Sequence, residues 1–144
     1  MEKVYEYTDY VAVNISSPNT KDLRKLTHSE YLNDLIGKLK SKQQELSKLY
    51  GYKPVFIKIS PDEDHSNLKN ICNSIIENKI DGVICSNTSI NHDYFGGQGG
   101  LSGAPIRKTS TACLIEVKSL VGDTIPIIAS GGVMSVSDFE EKLE

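Results

Sequence analysis

Asn14-Ile15-Ser16-Ser17-Pro18-Asn19-Thr20 gathers two amides and three hydroxyls into seven positions. The run before it, Tyr10-Val11-Ala12-Val13, is apolar and β-branched enough to be a buried strand. Pro18 cannot donate to a ladder and biases Ser17 towards an extended backbone, so the strand stops here with its polar groups presented in a fixed direction. Taken alone, the segment also reads as a strand followed by an Asx or Ser turn. The pattern recurs three more times. Lys58 lies within Val55-Phe56-Ile57-Lys58-Ile59, closed by Ser60-Pro61; Ser86-Asn87-Thr88 follows Val83-Ile84-Cys85; and Gly131-Gly132 follows Ile125-Pro126-Ile127-Ile128-Ala129-Ser130. A lysine inside so apolar a strand must reach solvent or find an anion, because a buried unpaired ammonium is expensive. Asp62 is one intramolecular candidate.

The elements between these stretches are helical. Thr27-His28-Ser29-Glu30 has capping-box spacing ahead of Leu32, Leu35, Ile36, Leu39, Leu46 and Leu49, with Gly51 as the stop. Asp62, Glu63 and Asp64 load negative charge where a second helix begins, its inner face Leu68, Ile71, Cys72, Ile75 and Ile76. A glycine-rich loop from Asn91 to Gly103 precedes a third helix, capped by Thr109 or Ser110, with Leu114, Val117, Leu120 and Val121 inward and Gly122 at its end. Ser137-x-x-Glu140 starts a fourth, which runs to Glu144. The order is β-α four times over with continuously apolar strands, the pattern of a parallel sheet covered by helices. The unusual polar residues and glycines all fall at strand carboxyl ends, where such folds bind ligands. An open doubly wound sheet and a (β/α)8 barrel both fit; length alone favours the open sheet, since a barrel needs about 250 residues.

The 144 residues suit one domain. A formal net charge of −3 without a basic stripe argues against nucleic acid as the main partner. Cys72, Cys85 and Cys113 are odd in number and widely spaced, and His28, His65 and His92 sit in separate segments, so neither a disulfide framework nor a metal site is indicated. No apolar run reaches the length of a membrane span, and the first residues lack a signal-peptide core, so the chain reads as cytosolic or peripheral.

Taken together, the Asn14–Thr20 stretch, Ile57-Lys58-Ile59-Ser60-Pro61-Asp62, Ser86-Asn87-Thr88, Gly99-Gly100-Leu101-Ser102-Gly103 and Pro126-Ile127-Ile128-Ala129-Ser130-Gly131-Gly132-Val133 resemble the dihydroorotate dehydrogenases along essentially the whole chain. That resemblance implies a partial (β/α)8 TIM barrel in an α/β class: residues 1–144 as one partial FMN-binding domain, corresponding to roughly strands four to seven of eight. It implies oxidation of dihydroorotate to orotate in pyrimidine biosynthesis. Ser17 occupies the position of the base that removes a ring proton; serine there, rather than cysteine, implies the quinone-dependent, membrane-associated class. A serine hydroxyl holds its proton tightly at neutral pH and needs a relay or a strongly polarised setting to act.

By the same resemblance Asn14 touches both flavin and substrate, while Asn19, Asn87 and Thr88 touch the substrate. Such amides match the donors and acceptors of a planar, imide-containing, carboxylated ring. Lys58 would sit by the electron-rich part of the reduced flavin and raise its appetite for hydride. Ser86, Gly103 and Gly132 would also contact the cofactor, the glycines letting backbone amides approach its phosphate and ribityl chain. No metal is implied. The sequence departs from the family pattern at Ser86, where Thr is common, at Ala129-Ser130, where Gly-Val is usual, and in a short loop from Asn91 to Gly99.

The partners implied are dihydroorotate or orotate and a quinone. The parent protein would lie peripherally on the cytoplasmic side of the cell membrane, through an amphipathic segment outside this sequence, with the isolated chain soluble. Two other readings stand beside this one: a catalytically incompetent half-barrel or association module whose open edges pair with another copy, and a different phosphate-binding βα-barrel.

Overall fold

A computed structural model describes residues 1–17 and 29–144, the side chains of Ser29, Glu30 and Phe95 aside. Four strands, β1 (Val11–Asn14), β2 (Val55–Ile59), β3 (Gly82–Cys85) and β4 (Ile127–Ala129), form one parallel sheet in sequence order. The connecting helices are α2 (Ser29–Tyr50), α3 (His65–Glu77) and α4 (Arg107–Val121), with a short α1 (Glu2–Tyr5) before β1 and α5 (Val136–Glu141) after β4. Each strand-to-strand crossover thus carries a helix, as parallel pairing requires.

Val13, Ile57, Val83 and Ile127 are register partners and share a face with Val55, Ile59 and Cys85. That face packs on Leu32 and Ile36 of α2, on Leu68, Ile71, Cys72 and Ile75 of α3, and on Cys113, Val117 and Val121 of α4. The opposite row is Asn14, Lys58, Ile84 and Ile128. Among the described residues no helix covers it; Asn14 and Ile128 are exposed and Lys58 is half-buried. The four units form an arc with this row on its concave side, where Ile84 is nonetheless buried. On this side Phe56 lies over Gly82, where an added Cβ would overlap the ring and come within 2.9 Å of the Pro126 carbonyl oxygen. Tyr10 meets Phe56 edge-to-face, centroids 5.6 Å apart.

Local expectations fare unevenly. Leu49 and Ile76 are exposed rather than inward. Tyr10 precedes β1 and Ile125 precedes β4. Of the capping box ahead of α2, Thr27 and His28 lie outside the described residues. Asp64 caps α3, accepting from Asn67 N–H at 2.8 Å. Ser110 is no cap. The helix begins three residues earlier, after a 3-10 turn at Ala104–Ile106, and the Ser110 hydroxyl bonds the carbonyls of Arg107 and Gly131 at 2.9 and 2.8 Å. Likewise α5 is capped by Ser135, which accepts from Asp138 N–H at 3.2 Å, and not by Ser137. Cys72, Cys85 and Cys113 are free and buried. No described helix is long and apolar enough to cross a membrane.

Candidate functional site

At the carboxyl ends of the strands three elements converge on Ser16. The β1 strand runs into it, and its backbone N–H bonds Asn14 Oδ1 at 3.1 Å. Its fully buried hydroxyl lies 3.1 Å from both Asn14 Oδ1 and the Lys58 carbonyl oxygen, and its single proton serves one of them at a time. Asn87, arriving from β3, donates its side-chain amide to Ser16 Oγ at 3.2 Å and to Asn14 Oδ1 at 3.3 Å. The Asn87 backbone N–H is held by Ile59 O of β2 at 2.8 Å. Two asparagines from strands that do not pair are thereby fixed above the strand between them. Ser16 was not among the anticipated site residues: its type gave the same signal as its neighbours, and only its burial singles it out.

Lys58 is the register partner of Asn14, so its side chain leaves the same face at the same level. The Asp62 partner considered from sequence is excluded by geometry. The Asp62 carboxylate turns to Ser89 Oγ at 2.5 Å and Ile90 N–H at 2.8 Å, and no described side chain pairs with the Lys58 ammonium. A cation is left on an open concave face beside two amides.

Ser17 follows directly, half-buried, and among the described residues no group takes up its hydroxyl proton. Thr88 is half-buried next to Asn87. Asn19 lies outside the described residues.

Ser86 is buried after a cis peptide to Cys85; its hydroxyl donates to Asn87 O at 3.1 Å, and its N–H to Ser130 O at 2.8 Å. This carries the β3–β4 ladder one step further, towards Gly131-Gly132. Gly132 is buried in the left-handed region, φ 74°. A Cβ there would fall 2.7 Å from Arg107 Cβ and 2.8 Å from Arg107 N. Only glycine lets this turn lie against the first residue of α4. Gly103, also left-handed at φ 77°, opens the 3-10 turn leading into that helix. Between them is a cavity of about 350 Å³ lined by Ala104, Pro105, Arg107, Lys108, Gly132 and Asp138. A helix N-terminus, two basic side chains and a close-packed glycine turn suit an anion such as a phosphate. A larger groove of about 600 Å³ beside β4, lined by Leu114, Ile115 and Phe139 among others, lacks this convergence.

Asp138 secures the wall of the cavity. Its carboxylate accepts from Arg107 Nη1 at 2.5 Å, Met134 N–H at 3.0 Å and Ser135 Oγ at 2.9 Å. The Arg107 guanidinium, then these two donors, pull its pKa from the ordinary 3.8 to about 2. Behind the turn the buried Lys142 ammonium donates to Ser110 Oγ and Thr111 Oγ1, each at 3.0 Å, and burial holds its pKa below the usual lysine value.

The rim therefore runs from two amides and an ammonium at β1–β3 to an anion cradle at β4–α4. The family model of dihydroorotate dehydrogenase matches residues 1–144. The chain belongs to the dihydroorotate dehydrogenase family. It is 47% identical, over 150 aligned positions, to the dihydroorotate dehydrogenase (quinone) of Aliivibrio salmonicida, covering 99% of this chain and 45% of that protein. The corresponding protein of Wigglesworthia glossinidia brevipalpis is 43% identical over 151 positions, covering 100% and 45%. A crystal structure of the Eimeria tenella enzyme in complex with ferulenol superposes with a TM-score of 0.88 at 28% identity, over 98% of this chain and 44% of that one. The chain spans less than half the length of these relatives, and its sheet is an arc of four consecutive βα units of a TIM barrel rather than an open doubly wound sheet.

Membership of this family implies a flavin, and the residues present fit one. The cavity at the start of α4 has room for a phosphate beside Arg107 and Lys108, and the Lys58 ammonium faces the open side with no described counter-charge.

Proposed function

We propose that this chain supplies the substrate- and flavin-facing rim of a quinone-dependent dihydroorotate dehydrogenase, the flavin being FMN. The observation that carries the reading is the convergence of Asn14, Ser16, Asn87 and Lys58 at one end of the sheet. Bound FMN would supply the hydride acceptor for dihydroorotate oxidation and the route by which two electrons reach a quinone. The chain's own residues bind, orient and manage one proton. Asn14 and Asn87 lock each other's rotamers, so their remaining donors and acceptors meet a planar imide ring without further ordering. Asn19 and Thr88 extend that contact to the substrate. Ser17 takes the ring proton, with its relay supplied by water or by residues outside this stretch. Lys58 places positive charge where negative charge develops on the cofactor. Ser86, Gly103 and Gly132 hold the cofactor, its phosphate lying in the α4 cavity. Orotate is then an intermediate of de novo pyrimidine synthesis, and a membrane quinone would place the parent protein peripherally on the cytoplasmic side of the membrane.

The test uses a complete, flavin-loaded protein carrying these residues. Ser17→Ala should abolish dihydroorotate oxidation while flavin content and orotate binding persist, and Ser17→Cys should retain measurable activity. Equal turnover by Ser17→Ala removes the base assignment. A wild-type protein that bleaches its flavin with dihydroorotate and is reoxidised by a quinone supports the whole reading; one that holds no flavin overturns it.

A second reading rests on a separate observation: among the described residues β1 and β4 each pair on one side only, and Ala12 and Ile128 stand exposed on the concave face. On that reading the 144-residue chain alone is an incompetent half-barrel that associates through its edges. A purified chain that elutes as a monomer, binds FMN stoichiometrically and turns over substrate would exclude it.

A further inference from the structure

We propose that Asp62 is a positioning residue for the substrate side of the site: it clamps the root of the loop after β3 to the end of β2. The assignment of a substrate to this side rests on the function proposed above; the clamp itself rests on geometry.

Asp62 follows Lys58 by four residues, in the turn between β2 and α3. Its own N–H donates to the buried Ser60 hydroxyl at 3.1 Å, which fixes the direction of the turn. From there the carboxylate reaches across to two consecutive residues of another segment, Ser89 through Oγ at 2.5 Å and Ile90 through N–H at 2.8 Å. Both are hydrogen bonds to a charged acceptor, the stronger kind. Ser89 is buried, and its oxygen also receives the Asn91 N–H at 3.0 Å.

The other root of the loop depends on the same residue. Ser89 N–H donates to Leu101 O at 3.0 Å, and Leu101 N–H returns to Ser89 O at 2.7 Å, an isolated antiparallel bridge. Asp62 thus holds Ser89, and Ser89 holds Leu101. Between Ile90 and Leu101 the described ties are local to the loop: His92 N–H to Ile90 O at 2.9 Å, the His92 ring to Gly99 O at 3.3 Å, a His92–Tyr94 ring contact and a 3-10 turn at Tyr94–Gly97.

On the near side, the residues immediately before Ser89 are Asn87 and Thr88, and the Asn87 backbone is tied to β2 by Ile59 O at 2.8 Å. The stretch from Asn87 to Ile90 is therefore stapled to the β2 end at both extremities, by Ile59 and by Asp62. Losing the second staple lets Thr88 and the loop roots move, while Lys58, Gly103 and Gly132 keep their own supports. The expected signature is a loss on the substrate side with the cofactor side intact.

The experiment compares Asp62→Ala, Asp62→Asn and Ser89→Ala in the complete, flavin-loaded protein. Hydrogen exchange at Ile90 and Leu101 should accelerate by about ten- to a hundred-fold in Asp62→Ala, the range for lost bonds to a charged group, with α3 amides unchanged. The KM for dihydroorotate should rise by about ten-fold or more, with flavin content retained and the rate of flavin reduction at saturation within about three-fold. Asp62→Asn, whose amide oxygen still accepts from Ile90 while its NH2 meets Ser89 Oγ, should recover much of both. Ser89→Ala should cost nothing further in the Asp62→Ala background for the part of the effect carried by that pair. A general loss of stability instead would speed exchange in α3 equally and lower flavin content, and would overturn the proposal. So would unchanged exchange at Leu101. If wild type neither oxidises dihydroorotate nor binds orotate, the proposed function fails, and the exchange measurements still decide whether the clamp exists.

Discussion

Asn87 donates its side-chain amide to Asn14 Oδ1 at 3.3 Å, joining β3 to β1 across the end of a strand that lies between them. Ser16 is the third member, in contact with both. Because each amide orients the other, truncating either should cost more than its own contact with a ligand. Asn14→Ala and Asn87→Ala should each weaken orotate binding by at least about ten-fold in the flavin-loaded protein, and the double variant should fall short of the sum by about 1 kcal/mol. Orotate titration followed by the flavin absorbance measures all three. Strict additivity would show that the pair is not a unit.

Gly132 lies where a Cβ would strike the backbone of Arg107, and backbone cannot step aside as the end of a side chain can. Its φ of 74° adds a conformational cost for any other residue. Gly132→Ala should therefore displace the turn from α4 and empty the cavity of flavin phosphate, dropping flavin content by ten-fold or more, with stability reduced by about 1–3 kcal/mol. Absorbance at the flavin band against protein concentration gives the first quantity and urea unfolding the second. Retained flavin would place the phosphate elsewhere.

The parts legible in the sequence are those where one local rule governs. Continuous apolar runs with glycine or proline at their ends marked four strands, and residues at or just past their carboxyl ends come together at one level of the sheet, as Asn14, Lys58 and Asn87 do. Helix starts were less legible. Ser110 looks like a cap but lies one turn inside α4, because Pro105 and the 3-10 turn begin the helix earlier. Ser135 takes the role expected of Ser137 because Asp138, not Glu140, reciprocates. Burial of single polar residues was not legible at all: Ser16, Gln43 and Lys142 have the composition of surface residues and are inside because of partners up to 71 positions away. The bare face of Lys58 follows from strand number and curvature, which no window of sequence reports.

Acid should loosen the Gly132 turn through Asp138. Its carboxyl is depressed in the folded state from 3.8 to about 2, chiefly by Arg107. A depressed acid contributes stability that is complete above its unfolded pKa and is lost as pH falls through the folded one. The difference in urea midpoint between wild type and Asp138→Asn should be constant above about pH 5, shrink between 3.8 and 2, and vanish below. Flavin release from the complete protein should follow the same acid limb. A difference that persists unchanged at pH 2 would mean that the Arg107–Asp138 pair is not the source.

The opposite end of the sheet tests stability separately from function. Asp81 precedes β3, and its carboxylate receives Val55 N–H at 2.8 Å, Gln43 Nε2 at 2.7 Å, the Tyr52 hydroxyl and Lys40 Nζ at 3.4 Å. The same Gln43 amide reaches Lys53 O at 2.8 Å, and Tyr5 holds both the N–H and the carbonyl of Lys53. One carboxylate thus collects the start of β2, the middle of α2 and, through Lys53, the N-terminal helix. Burial pushes its pKa up, but the hydrogen bonds from Tyr52, Val55 and Gln43 and the charge of Lys40 outweigh it, and the net position is below 3.8. The sign is that of Asp138: the contribution is present above the unfolded pKa and fades as acid protonates the folded group. Asp81→Ala leaves the buried Val55 and Gln43 donors short of an acceptor and should destabilise by about 3 kcal/mol. Asp81→Asn, which keeps an acceptor but turns an NH2 towards other donors, should cost nearly as much. Both lie at the amino ends of the strands, far from Asn14 and Lys58, so KM and flavin affinity measured well below the melting temperature should stay within about two-fold of wild type. A variant that unfolds no more easily than wild type would remove Asp81 from its place as the knot at this end of the sheet.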